Sequence, residues 1–259
     1  MSRLVVISDL HCGHRAGLTP PEWQYAKSRD KDREKFRREQ DIMWRWYVEQ
    51  AQALQPIDVL VVNGDAIDGK GDKSGGTEQI ELARDKQVDI AAACIDVWKA
   101  PKVVMIYGTG YHVGRDEDWE AVLADKVGAV KIGAHEWLRL GGVTFDFKHK
   151  TSRSIIPHGR WTGPARAALW NALWAERAIE PKADVIVRSH VHYHIFGGDG
   201  YRLFMTTPGL QGFGSKYGTR ECEGFVDIGL VKFDCEDGGY RWESPRLDLI
   251  QFAPAVVRL

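Results

Sequence analysis

Val5-Val6-Ile7-Ser8-Asp9-Leu10-His11 is an apolar run that stops at a carboxylate and an imidazole two residues apart. A short run of branched aliphatic residues without polar alternation reads as a strand buried on both faces. Residues two apart on a strand point the same way, so Asp9 and His11 face one point at its tip. A hard oxygen beside a borderline nitrogen suits a divalent metal such as Mn, Fe, Zn or Ni. Alone, the motif is short enough to recur by chance.

The pattern returns downstream. Ile57 to Val62 is a second buried strand, ending in Asn63-Gly64-Asp65-Ala66-Ile67-Asp68-Gly69, where glycine lets backbone come close to a metal or phosphate. Lys102 to Tyr107 is a third strand, ending in Gly108-Thr109-Gly110-Tyr111-His112-Val113-Gly114. Between the strands, Phe36, Ile42, Met43, Trp46 and Leu54 recur at roughly helical spacing within Ala26 to Leu54. A second helix, Glu78 to Lys99, turns Ile80, Leu82, Val88, Ile90, Ala91, Cys94, Ile95 and Trp98 inward, which makes Cys94 a packing residue. Acids and bases alternate through Lys27 to Asp41, the pattern of a solvated helix face and not of a basic stripe for nucleic acid. Gly69 to Gly76 lacks the spacing of a nucleotide-binding P-loop and reads as a mobile loop. Strands alternating with helices, each strand ending in polar residues, predict a parallel α/β sheet with its site along the carboxyl edge.

Beyond a short helix at Asp116 to Val127 the strands come closer together: Val130 to Ile132, His135 to Leu140 and Val143 to His149, with a turn at Gly141-Gly142. Pro157 to Gly163 reads as a loop, and Pro164 to Ile179 as a helix with Leu169, Leu173 and Trp174 on one side. Asp184 to Val187 is a buried strand whose tip reads Arg188-Ser189-His190-Val191-His192-Tyr193-His194. Strands at Tyr201 to Met205, Phe225 to Phe233 and Tyr240 to Leu247 are expected to complete a second sheet, with a Gly-rich loop at Pro208 to Gly218.

The chain has 259 residues and no repeat or linker, so one domain over residues 1–259 is expected, burying about three quarters of its unfolded surface. A formal net charge of -1 argues against a general polyanion binder while allowing a local basic rim. Cys12, Cys94, Cys222 and Cys235 show no CxxC spacing, which fits free thiols in a reducing compartment. With no apolar signal core and no run of about 18 apolar residues, a cytoplasmic protein without a membrane partner is expected.

Asp9-x-His11, Gly64-Asp65, the Gly108 to His112 loop, His149 and His190-x-His192 stand at strand ends in the order of the calcineurin-like metallophosphoesterases, which the chain resembles over about residues 3 to 210. The resemblance implies an αββα sandwich, two facing mixed sheets flanked by helices, around a dinuclear metal site. Carried over to this sequence, Asp9, His11 and His192 hold one metal, His149 and His190 the other, and Asp65 bridges the two, about 3.5 to 4 Å apart. Manganese leads, with Fe, Ni or Zn as alternatives. His112 matches the histidine that protonates the leaving alkoxide or positions the phosphate. The implied reaction is phosphoester hydrolysis by a metal-bridging hydroxide.

The sequence departs from the family in two places. The usual Gly-Asn-His reads Gly108-Thr109-Gly110-Tyr111-His112, so Thr109 takes the place of an asparagine ligand of the second metal, and its hydroxyl is the poorer donor. Ser189 stands where glycine usually precedes the late histidine pair. Asp68 is expected to hydrogen-bond to the ligands, whereas Asn63, His14, His158 and His194 are read as structural or solvated. Cys12 has no base placed to make it a nucleophile.

Lys148, Lys150, Arg153, Arg160, Lys216 and Arg220, interleaved with Trp161, Phe213 and Tyr217, fall in loops at the expected site edge. Cations among aromatics suit a nucleotide or single strand, and they equally read as solvated loop charges over a few packing aromatics; a phosphodiesterase on nucleotide or nucleic acid is slightly favoured. The alternatives are a phosphomonoesterase on a small molecule or phosphoprotein, or a catalytically weak metal-binding scaffold.

Overall fold

β1 (Ser2–Ile7) is the strand from which the first sheet grows. It pairs in parallel with β2 (Val59–Asn63), which pairs in parallel with β3 (Val103–Ile106), in register Leu4↔Val59 and Leu60↔Val103. The computed structural model describes residues 1–114, 117–215 and 226–249. Parallel strands need crossovers, and these are α1 (Lys31–Ala53) and α2 (Arg84–Asp96). Asp30 caps α1 by accepting from the amides of Asp32 at 2.8 Å and Arg33 at 3.1 Å, which sets its start five residues after Ala26. The buried face of α1 carries Phe36, Gln40, Met43, Tyr47 and Ala51, with Trp46 and Leu54 partly buried against the same core, while Ile42 is exposed. α2 begins at Arg84 because the preceding segment is engaged elsewhere: Arg15 N donates to Glu78 O and Ile80 N to Gly13 O, both at 2.8 Å. Leu82 is accordingly exposed, while Val88, Ile90, Ala91, Cys94, Ile95 and Trp98 pack inward as the periodicity predicts.

After α3 (Gly110–Val113) and α4 (Trp119–Lys126), β4 (Lys131–Gly133) joins β3 in parallel. Asp116, the expected start of α4, lies outside the described residues. The second sheet contains β5 (Glu136–Leu140), β6 (Val143–Phe147), β7 (Val185–Arg188), β8 (Ile195–Gly198) and β9 (Leu203–Thr206) in the order β5-β6-β7-β9-β8. α5 (Thr162–Glu176) lies between β6 and β7 and follows a 3-10 turn at Pro157–Trp161 where a loop was expected. Its buried positions are Gly163, Pro164, Ala168 and Asn171; Leu169 is 60% and Leu173 46% exposed, so the stripe expected to pack is turned to solvent.

The last strands do not complete the second sheet. β10 (Ile228–Gly229) and β13 (Arg246–Leu247) form a separate pair. β11 (Val231–Glu236) runs antiparallel to β1, in register Val6↔Val231, and β12 (Gly239–Glu243) follows it, giving a first sheet of order β12-β11-β1-β2-β3-β4. Both sheets are mixed, and they face each other across a core of Leu4, Val6, Val61, Ile106, Phe145, Phe147, Val187, Met205 and Phe233. α1, α2 and α4 pack on the outer face of the first sheet, and Ala168 of α5 packs with Ile186 on the outer face of the second. This is the αββα sandwich the family resemblance implies. Among the described residues, no helix is long and apolar enough to cross a membrane.

Candidate metal centre

The carboxyl ends of β1, β2, β6 and β7 meet at one edge of the two facing sheets, and the chain turns there under strain. Eight described non-glycine residues have positive φ, and five of them are Asp9 (52°), His11 (44°), Asp65 (50°), His190 (76°) and His192 (54°). Each such conformation costs on the order of 1–3 kcal/mol and persists only where surrounding structure dictates it. Here the loops are laced together. Asp9 N donates to Gly64 O, His11 N to Asp65 O and Cys12 N to Ala66 O, each at 3.0 Å. Gly64 and Gly108 make the approach possible: a Cβ on Gly64 would meet His149 Nδ1 at 2.5 Å, and one on Gly108 would collide with the Asp65 carboxylate.

The side chains converge in two groups. Asp9, His11 and His192 form one; Asp65, His149 and His190 form the other, the donor atoms within each lying within 4.8 Å of one another. In the first, His192 Nε2 is 3.3 Å from Asp9 Oδ1 and 3.2 Å from His11 Nε2. In the second, Asp65 Oδ2 is 2.9 Å from His149 Nε2 and 3.8 Å from His190 Nδ1. The groups adjoin, since His149 Nε2 also lies 3.9 Å from Asp9 Oδ1. His11, Asp65 and His112 make a third overlapping group.

The donor set fits divalent metal ions. Two buried imidazole nitrogens face each other beside a buried carboxylate oxygen, Asp9 Oδ1, that accepts no hydrogen bond among the described residues. Such a cluster is unfavourable without a cation or protons among its members. Two of the rings are anchored through Nδ1, the kind of support that orients a metal-ligating histidine. His149 Nδ1 donates to Asn63 O at 2.6 Å and His112 Nδ1 to Asp68 O at 2.7 Å, while His11 Nδ1 faces Asp68 Oδ1 at 3.3 Å. These contacts leave Nε2 of His11 and His149 directed into the cluster.

Burial disfavours the charged form of every group here, and the neighbours decide which way each shifts. Asp9 is held below the usual carboxylate range by His192 and His149, against its burial. Asp65 is held well below it by His149 and His112. Burial also works against the imidazolium of His149, but the carboxylates of Asp65 and Asp9 push it up to about 10. His11 goes down to about 4, through burial and the proximity of His112. The carboxylates thus favour positive charge at the edge, and a metal ion held by His149 Nε2 would take the place of its proton.

Thr109 donates to Asp65 Oδ1 through its amide at 2.7 Å and its hydroxyl at 3.2 Å, which fixes the carboxylate between the two groups. Ser189, in place of glycine, is fully buried and useful there: its Oγ accepts from Asn63 Nδ2 at 2.6 Å and shares a hydrogen bond with Thr207 Oγ1 at 2.7 Å, which meets Ser8 Oγ at 2.7 Å. Asn63 is thus structural, as is His194, whose Nδ1 donates to Thr206 O at 2.6 Å. His158 is exposed on the turn before α5, while His14 is buried and lines the cleft, 3.7 Å from Glu78. Cys12 is buried with its sulfur 3.9 Å from that of Cys94, away from any base.

The cleft above the cluster has a volume of about 410 Å³ and is lined by Asp65, Asp68, His112, His190 and His192, with Lys150 and Arg153 at its rim. Arg160 stacks instead over Tyr193 at 4.5 Å, Trp161 donates to Phe196 O at 2.9 Å, and Phe213 packs on the core below the first sheet. Lys216, Tyr217, Arg220, Cys222 and Phe225 lie outside the described residues. One important residue left no local signal: Glu120, which reads as a first-turn helix acid, is fully buried and accepts from Ala66 N at 2.9 Å and Gly108 N at 2.7 Å. It ties the Asp65 loop to the Thr109 loop.

No protein-family profile and no curated protein matches the chain. Among solved structures it is similar to zinc-complexed Vps29 of Entamoeba histolytica, at 13% identity over 94% of this chain and 98% of that one, with a TM-score of 0.49. It is likewise similar to an archaeal phosphodiesterase, at 13% identity over 94% and 99% of the two chains and a TM-score of 0.49. A predicted phosphoesterase from Streptococcus pneumoniae shares 11% identity over 94% and 98%, with a TM-score of 0.39.

Proposed function

We propose that this chain is a calcineurin-like, dinuclear metal-dependent phosphoesterase that cleaves phosphodiesters of nucleotides or nucleic acid. The observation that carries the reading is the pair of adjoining ligand groups, Asp9–His11–His192 and Asp65–His149–His190, at one strained edge. Asp9, His11 and His192 would hold one ion and His149 and His190 the other, with Asp65 shared; manganese is the first ion to test. Thr109 keeps Asp65 in place through its amide and hydroxyl.

Two divalent cations in such a site supply Lewis acidity, offsetting the anionic phosphoryl oxygens and lowering the pKa of water from 15.7 towards about 7. The residues around them do the rest. Lys150 and Arg153 at the rim draw the anionic ester in and orient it. His112 donates its Nδ1 proton to Asp68 O, so a second proton, carried on Nε2 in the imidazolium form, is the one it would give to the departing alcohol, leaving the neutral ring. The rings of His11 and His112 stand edge to face with centroids 4.5 Å apart, which confines the His112 ring to the cleft side.

The test is hydrolysis of bis-p-nitrophenyl phosphate against p-nitrophenyl phosphate by metal-stripped protein with Mn, Ni, Zn or Mg restored, with bound metal counted in parallel. Metal-dependent turnover with two ions bound and the diester preferred is expected; Asp65→Ala should lose turnover and metal together. Preference for the monoester would replace the diesterase with a phosphomonoesterase. No turnover, with one ion or none bound, would overturn the enzyme reading in favour of a scaffold.

A further inference from the structure

A second cavity, of about 540 Å³, opens beside the cleft and shares Lys150 with it. Beyond β6 the chain bends at His149, which turns inward to Asp65, while Lys148 and Lys150 on either side of it are exposed. Both lysines line the second cavity, and Arg166 of α5 lines it from across. None of the three makes an ion pair among the described residues; Arg166 donates to Ser152 Oγ at 3.3 Å.

The acids in the wall do not cancel this charge. Asp146 is matched by the buried Arg188, which donates to its two carboxylate oxygens at 2.7 and 3.1 Å and also to Val187 O. That pair is closed, and Glu180 is left as one acid against three exposed cations. The apolar part of the wall is Trp170, 51% exposed and stacked on Trp174 with ring centroids 5.8 Å apart. An indole face held open beside unpaired cations, next to a site for a phosphoester, is the chemistry that grips a nucleotide strand.

We propose that this cavity is a subsite for a second phosphate of single-stranded nucleic acid. With the scissile diester in the cleft, the neighbouring phosphate rests on Lys150, Lys148 and Arg166 and a base lies against Trp170. The inference rests on the phosphoesterase reading of the cleft, which the test keeps separate.

Fluorescein-labelled hexathymidylate is titrated, at several salt concentrations and with metal chelated, into the full chain and into Lys148→Gln/Arg166→Gln and Trp170→Ala proteins. For wild type, log Kd should depend steeply on log salt. The double charge variant should lose about 1.4 from that slope, two contacts at roughly 0.7 each. Trp170→Ala should weaken binding at least about fivefold with the slope kept, as loss of a stacked base predicts. With metal restored, kcat/KM for hexathymidylate relative to bis-p-nitrophenyl phosphate, which has no second phosphate, should fall about tenfold in each variant. Equal affinity and slope in all three proteins would overturn the subsite, whatever the ester turnover. Loss of slope in a protein that hydrolyses neither ester would sink the phosphoesterase reading and leave the cavity as a strand-binding site.

Discussion

Removing Glu120 tests whether the site is held from beneath by one buried carboxylate. Glu120→Ala removes the acceptor of the Ala66 and Gly108 amides, which now donate at 2.9 and 2.7 Å; Ala66 is fully buried and Gly108 half-buried. An unsatisfied buried amide costs about 1–3 kcal/mol, so one fully and one partly stranded amide predict a loss of about 2–3 kcal/mol, a large share of the ~5–15 kcal/mol that folded domains possess. Ala66 follows Asp65 and Gly108 precedes Thr109, so ester turnover should fall on the order of a hundredfold through misplacement of the shared carboxylate.

The charge of Glu120 adds a pH signature. Burial, and then the charge of Asp65, raise Glu120 from 4.5 to about 7. For a group whose folded pKa is raised, the stabilising contribution is complete below pH 4.5 and is lost as pH rises through about 7. The gap between 4.5 and about 7 corresponds to about 3 kcal/mol at most. Glu120→Gln keeps one acceptor and does not titrate, so its deficit relative to wild type should shrink from pH 5 to pH 8. Urea unfolding followed by far-UV circular dichroism at both pH values, beside ester turnover, reads all three effects. A loss under about 1 kcal/mol in Glu120→Ala with turnover intact would refute the brace, and a pH-independent difference in Glu120→Gln would refute the buried charge.

Gly108→Ala separates close approach from backbone strain, because Gly108 is not among the glycines with positive φ, yet an added Cβ would collide with the carboxylate and amide of Asp65; turnover should fall at least tenfold and the melting temperature by several degrees, and a wild-type pair of values would sink the contact. Glu39, whose side chain is 13% exposed, is pushed by burial from 4.5 to about 7 against the pull of Lys35 3.9 Å away. Its stabilising contribution is likewise lost as pH rises through about 7, so Glu39→Gln should gain about 1–2 kcal/mol at pH 8 and nothing at pH 5 in paired thermal melts, the residual exposure having been discounted.

Local pattern carried the candidate site a long way. Asp9 and His11 follow one buried strand, His190 and His192 another, and Gly64-Asp65 a third whose residues are all buried; the apolar runs place these groups at the sheet edge, but the residues have left-handed backbone beyond the strands, so their convergence comes from the loops and not from strand alternation. The same logic failed where pairing is non-local. Val231–Glu236 reads equally well as a strand of either sheet, and only its hydrogen bonds to β1, more than two hundred residues away in sequence, assign it to the first. Leu169 and Leu173 have helical spacing, but the helix buries its small residues Gly163, Pro164 and Ala168 instead, Ala168 against Ile186 of the second sheet, and the leucines face outward.

The sequence by itself determined that the chain alternates buried strands with helices and that the carboxylates and histidines stand at strand ends, because both follow from spacing along one chain. Tertiary structure alone decided that Asp65 lies within reach of both His149 and His190 and of His11 and His112, that Glu120 is drawn under its loop, and that Lys148 and Lys150 line a second cavity beside His149. Those facts depend on which loops meet across the facing sheets, a choice made by pairings and packing between segments distant in sequence, which leave no periodic trace in either segment.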